Sequence, residues 1–162
     1  MAEGIGKIAM AKRLTYVGLL PMFGIPLFLM YAKVVQYPIK EPQVFQLFFQ
    51  AYLALILSFL GGINWGIGLK VSDPEGERII KWSVLSPAFG WGAMLFGLEA
   101  GVGALALFAA LFLAQVYIDN KLYRHGVFEE WFIRLRKVAT GLVIVAIGLM
   151  MVMYTPPATI AQ

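Results

Sequence analysis

The sequence predicts an all-α integral membrane protein, a bundle of five transmembrane helices with one interfacial amphipathic helix. Three observations carry that prediction. Of 162 residues, 60% are hydrophobic and only 14% charged, where a soluble domain carries about 25% charged residues. Five apolar runs approach the roughly 20 residues that a helix needs to cross a hydrocarbon core about 30 Å thick. The basic residues fall in short clusters between those runs rather than along one face. With a mean hydropathy of +0.79, too few polar side chains remain to cover a water-facing globule. A disordered chain, an ordinary soluble enzyme and a disulfide-stapled secreted module are thereby excluded.

The whole chain, 1–162, reads as a single membrane domain. The first span, Leu14–Tyr31, has no charge and contains Pro21 and Pro26. Its basic flank, Lys12-Arg13, is like that of a secretory signal. However, its 18 residues exceed a usual signal core and no small-x-small site follows Tyr31, so it is expected to persist as a mature helix. The second span, Val44–Leu69, is the longest and must tilt, bend or protrude. The third is apolar over Ile79–Leu98, and its helix is expected over 74–98: Asp73 can cap it, Pro74 suits its first position, and Glu75 and Glu77 complement the positive helix end.

Only Glu99 to Gly101 separate this span from the fourth, Val102–Ile118, which forces an antiparallel hairpin with Glu99 in a solvated turn. The fifth span, Val138–Tyr154, is followed by the stop signal Pro156-Pro157. None of the five alternates like a barrel strand. Between the fourth and fifth, Val127, Phe128, Trp131, Phe132 and Leu135 share one helical face, while Glu129, Glu130, Arg134 and Lys137 occupy the rest. The segment 127–137 therefore reads as a helix on the membrane surface, or as an amphipathic lead-in to the fifth span. Its basic end, Arg134, Arg136 and Lys137, is expected to meet anionic lipid head groups.

Five spans place the termini on opposite sides, and the basic residues agree. Lys7, Lys12, Arg13, Lys70, Arg78, Lys81, Lys121, Arg124, Arg134, Arg136 and Lys137 share one side, against Lys33 and Lys40 on the other. That bias predicts a cytoplasmic N-terminus and a periplasmic C-terminus. The stretch before Lys12 is unlike an Arg- and Ser-rich transit peptide, so a bacterial inner membrane is the expected home, or a mitochondrial inner membrane if the chain is eukaryotic. The clustering also argues against nucleic acid as a partner despite a net charge of +4.

Helices in lipid approach closely through small residues. The second span offers Ser58, Gly62 and Gly66 at four-residue spacing with Gly61 and Gly68 beside them; the third offers Ala88 and Gly92, the fourth Ala106, Ala110 and Ala114. These read as packing ridges or as a face for a partner or a flat ligand. Tyr16, Tyr31, Trp65, Trp82, Tyr117 and Tyr154 sit where an interfacial belt predicts aromatic residues.

Chemistry has little to stand on. Zero cysteines and one histidine, His125, exclude thiolate metal clusters and a multi-histidine site within one chain. There is no phosphate loop, nucleophile elbow or pair of acids within a span, so no catalytic residue, metal or cofactor is expected. The polar residues read inside the spans, Gln46, Gln50, Ser58, Asn64, Ser86, Gln115 and Thr140, are neutral, and such groups tie helices together more often than they line a pathway. A transporter or channel is correspondingly disfavoured, and no inverted repeat supports one.

The run Ile56-Leu57-Ser58-Phe59-Leu60-Gly61-Gly62-Ile63-Asn64-Trp65-Gly66 resembles the signature of the transmembrane protein 69-like family, small bacterial and mitochondrial inner-membrane proteins that carry a domain of unknown function. Pro21 and Pro26 with Gly18 and Gly24, Ser86-Pro87 with Trp91, and Trp131-Phe132 with Leu135-Arg136 and Thr140 are similar to other parts of that family's pattern. The resemblance runs from about Leu14 to Val152. It implies a fold and a location and lends no activity. In the family pattern a histidine often precedes the tryptophan where this chain has Asn64, so any proton or metal role of that histidine would be absent here, while Asn64 still donates and accepts hydrogen bonds.

Two functional expectations follow. The first is a non-catalytic accessory or assembly subunit packing against a larger membrane complex, with membrane lipids around it. The second is a binder or carrier of a hydrophobic small molecule, a quinone or lipid, seated between the second and third spans. Both use one candidate face: Ser58, Gly61, Gly62, Asn64, Trp65, Gly66, Ser86, Pro87 and Trp91.

Overall fold

A computed structural model of the chain describes residues 2–72 and 74–153. Among them the backbone forms six helices: α1 (Ala2–Val17), α2 (Leu20–Val34), α3 (Pro42–Gly68), α4 (Glu75–Ala100), α5 (Val102–Arg124) and α6 (Glu130–Met153). Five stretches are long and apolar enough to cross a membrane: Gly6–Val34, Pro42–Gly68, Glu75–Gly97, Val102–Arg124 and Glu130–Met153. The five-span, all-helical architecture is therefore observed.

The first of these stretches is broken. Pro21 has no N–H to return to Val17, and the ladder tightens there into short turns, Leu19 N–H to the Tyr16 carbonyl at 3.1 Å and Met22 N–H to the Leu19 carbonyl at 3.1 Å. The basic residues Lys7, Lys12 and Arg13 thus lie on a helix, α1, joined through Gly18-Leu19 to the apolar α2. Asp73, expected as the cap of α4, lies outside the described residues, as do Tyr154, Pro156 and Pro157. Pro74 stands just before the helix rather than in its first turn. Glu99 belongs to the end of α4 rather than to a turn, and Gly101 alone (φ 51°) reverses the chain into α5.

No helix stands apart over 127–137. Glu130 starts α6, which runs unbroken to Met153, because no proline or glycine interrupts 127–140. The preceding turn closes on Gly126 (φ 74°), whose N–H donates to the Tyr123 carbonyl while Val127 N–H reaches the Leu122 carbonyl, a glycine-capped helix end. The same pair of bonds ends α2, with Gln36 (φ 55°) in the left-handed position.

α3 and α4 pack along much of their length, α4 continues into the hairpin with α5, and α6 is seated against α5 and α2. Phe49, Leu53 and Leu57 of α3 meet Phe108 and Phe112 of α5 and Ile147 and Met150 of α6 in the main core. A smaller cluster, Ile79, Leu122 and Phe128, closes the end of the bundle near the α5–α6 turn.

Candidate functional site

The sequence-predicted face divides when placed on the helices. Gly61 is buried at the α3–α4 seam, where a side chain would collide with the Ser83 carbonyl and the Pro87 ring. The cause lies across the seam: Pro87 lacks the N–H that would hold the carbonyl four residues earlier, so Ser83 C=O has no helical partner at that position, and only a glycine gives it room. Gly68, Gly90 and Gly97 serve the same seam, against Ile80, Leu57 and the Gln50 amide respectively. Ser86 is buried there and its hydroxyl faces the Leu57 carbonyl at 3.5 Å.

Ser58, Gly62, Trp65 and Gly66 instead point away from the bundle, as do Ala88, Trp91, Gly92, Ala106 and Ala110. A side chain at Gly62 or Gly66 would meet nothing within 4 Å. The four-residue ridges read from sequence are therefore not the surfaces that join these helices; their immediate neighbours are. At Gly61, Gly68, Gly90 and Gly97 the α3–α4 seam, the expected ligand seat, is closed by direct contact between the two helices.

A different cluster is assembled at the other side of the molecule. α5 extends past the expected end of the fourth span and buries Asp119, and α6 buries Arg136 opposite it: Arg136 Nε donates to Asp119 Oδ2 at 2.8 Å, with side chains 10% and 2% exposed. Gln115 Nε2 donates to the second carboxylate oxygen at 3.0 Å. Arg136, expected at lipid head groups, is thus a buried partner of an acid. Its helix face explains this, because Ile133, Arg136, Ala139, Thr140 and Val143 all turn inward. Arg134 and Lys137 remain outward, Arg134 paired with Glu130.

Asp119 escaped the sequence reading because Asp119-Asn120-Lys121 looks like a loop after Ile118. One signal marks it: Phe108, Phe112, Gln115, Asp119 and Leu122 recur at intervals of four and three, and all five are buried.

Arg136 and Thr140 also line a groove of about 540 Å³ between α1, α3 and α6. Leu14 and Gly18 form one wall, Ile56 and Leu60 the second, Ala139 and Val143 the third, with Phe112 behind and Trp131 and Phe132 at one end. Tyr52 spans it, its hydroxyl donating to the Gly18 carbonyl at 2.7 Å. Arg136 Nη2 and Thr140 Oγ1 are buried and have no hydrogen-bond partner among the described residues. Buried polar atoms are nearly always paired, so two unpaired ones, one helical turn apart and carried by residues that line one cavity, mark this as the candidate site. A shallower depression of about 310 Å³ adjoins it, where Lys12 and Tyr16 face Glu130 and Arg134. The volume lies within the range of small-molecule sites.

Asn64 is buried with Nδ2 unpartnered among the described residues, so it acts inside the bundle rather than on an outer face.

Residues 8–152 match the model of a family described as protein of unknown function (DUF3429). The chain is 33% identical over 132 residues to transmembrane protein 69 of Mus musculus, in an alignment covering 80% of this chain and 50% of the mouse protein. It thus spans about half the length of that relative. No solved structure matches the chain.

Proposed function

The chain belongs to the DUF3429 family, with transmembrane protein 69 among its relatives, and from that premise we propose a non-catalytic membrane protein that holds a largely apolar molecule by its one polar end. The observation that carries the reading is the groove between α1, α3 and α6, apolar around almost all of its wall and lined in part by Arg136 and Thr140, whose Nη2 and Oγ1 are buried and unpartnered among the described residues. An apolar body would replace lipid tails against Leu14, Ile56 and Val143, and a polar end would satisfy the two orphaned groups. The distribution of basic residues supports an inner membrane with α1 on the cytoplasmic side, which brings the mouth beside Lys12 and Arg134 close to lipid head groups. Outward Arg134 and Lys137 keep their role as head-group contacts in this reading.

The test is purification from the native membrane in mild detergent, followed by mass spectrometry of what stays bound. One class of apolar molecule should be retained and then lost when Ile56→Trp fills the groove. Recovery of bulk phospholipid alone, in the membrane's own proportions, would overturn the reading.

A second reading, an accessory or assembly subunit packing on a larger membrane complex, is favoured by the outward small-residue ridges Ser58-Gly62-Gly66 and Ala106-Ala110, which suit close helix contact. A monodisperse monomer with no companion protein from its own membrane would count against it.

A further inference from the structure

Resting on that ligand-binding reading, we infer that the groove selects an uncharged carbonyl oxygen, as found on a quinone or on the ester of a diacylglycerol, and rejects a phosphate or carboxylate. The site's charge is already balanced before any ligand arrives. Asp119 and Arg136 form a one-to-one pair at 2.8 Å, and Gln115 occupies the remaining carboxylate oxygen. Both carboxylate oxygens thus have a donor, while the guanidinium keeps an N–H at Nη2 with no partner among the described residues.

An anion brought to that N–H would sit beside Asp119 with a single cation between two negative groups. In a low-dielectric interior such an uncompensated charge is strongly disfavoured. A carbonyl oxygen brings lone pairs without net charge. It accepts from Arg136 Nη2, and Thr140, one turn along the same face of α6, supplies a hydroxyl that can donate to the same or an adjacent oxygen. A hydrocarbon lacking any acceptor would leave both groups orphaned, so the polar pair separates this ligand from plain lipid tails. Charged head groups are left to the outer depression, where Lys12 and Arg134 are exposed.

The experiment uses the full chain in dodecyl maltoside micelles. Decylubiquinone is the quinone probe, dioctanoylglycerol the uncharged ester, and decyl phosphate the anion of similar length. Trp131 lines the groove, so bound quinone should quench its fluorescence saturably. That component should vanish in Trp131→Phe, which controls for the other tryptophans; native mass spectrometry reads the probes that do not quench. Dioctanoylglycerol should compete with the quinone and an excess of decyl phosphate should not. Whichever uncharged probe binds more tightly identifies the source of the carbonyl.

Arg136→Lys, which keeps the charge opposite Asp119 but loses the planar fork, should weaken binding about 10-fold or more. Thr140→Val, a smaller change and the safeguard should the arginine variant fold poorly, should weaken it about 3-fold to 10-fold. Decyl phosphate binding more tightly than both uncharged probes would overturn this inference and leave the ligand-binding reading standing. Unchanged affinity in Thr140→Val together with a folded Arg136→Lys would likewise overturn it. No saturable binding of any of the three probes would overturn both.

Discussion

The α3–α4 seam and the α1–α3–α6 groove are both contacts between apolar helices, yet one is closed to backbone distance and the other stays open by about 540 Å³. In lipid the hydrophobic effect does not press helices together, so a contact closes only where side chains are small enough for backbones to meet. Gly61, Gly68, Gly90 and Gly97 provide that at the seam. On the groove side Leu14, Leu60 and Trp131 are large, and the helical ladder is interrupted at Gly18-Leu19 where α1 gives way to α2. The groove side collects Arg136 Nη2 and Thr140 Oγ1, one helical turn apart and without a hydrogen-bond partner among the described residues. Under the proposed reading, structural cement and binding capacity are divided between two sides of one small bundle.

The largest effect is expected on the groove side. Asp119→Ala leaves Arg136 as an uncompensated buried cation and should destabilise the protein by about 3–5 kcal/mol, whereas the double variant Asp119→Leu, Arg136→Leu should recover most of that loss. Thermal unfolding in detergent, followed by tryptophan fluorescence, measures both. If the double variant is as unstable as the single one, the pair is a structural element of the bundle, and the contrast between a cemented side and a binding side weakens.

On the seam, Gly61→Leu should cost about 1–3 kcal/mol, because an added Cβ would overlap the Ser83 carbonyl oxygen, a backbone atom, and press on the Pro87 ring. Gly62→Leu, one residue away with nothing within 4 Å, should change stability by less than about 0.5 kcal/mol. The same melts read this pair. Equal losses at the two positions would mean that the outward ridge is also packed, by a second copy or a partner, and would favour the accessory-subunit reading.

The contrast between Gly61 and Gly62 also marks where the sequence stopped being legible. Span number and rough bounds follow from hydropathy alone, since each apolar run is long enough to be unambiguous. The seam is different: four-residue spacing selects Ser58-Gly62-Gly66, but the residue that must be glycine is fixed by a carbonyl on the opposite helix, freed by Pro87, and that is a property of the pair. Arg136 was misplaced for a related reason. Arg134, Arg136 and Lys137 form one basic run in sequence, yet a helix separates them by about 100° per residue, and only the inward neighbours Ile133, Ala139 and Thr140 reveal which of the three is buried. Asp119 was readable in principle through its place in the buried series from Phe108 to Leu122, but its polar neighbours disguised a helix as a loop. The groove had no sequence signal, because it arises from what three helices fail to fill.

The smallest effect tests how the open side is held at its present width. Tyr52 is the tie across the groove, and its hydroxyl donates to the Gly18 carbonyl at the α1–α2 break, where Gly18 continues the α1 ladder by its own N–H to Leu14. Tyr52→Phe removes one hydrogen bond while keeping the ring, a loss of about 1 kcal/mol, and should loosen α1 without melting the bundle. The natural chain has no cysteine, so Ile56→Cys places a single thiol in the groove wall whose alkylation rate reports opening. Adding Tyr52→Phe should raise that rate by about 5-fold, the population shift that 1 kcal/mol allows, while a thiol at the seam, Leu57→Cys, should react slowly in both backgrounds. An unchanged rate at Ile56→Cys would show that α1 is positioned by its packing on α6 rather than by Tyr52, and that the groove is a fixed cleft rather than one with a movable wall.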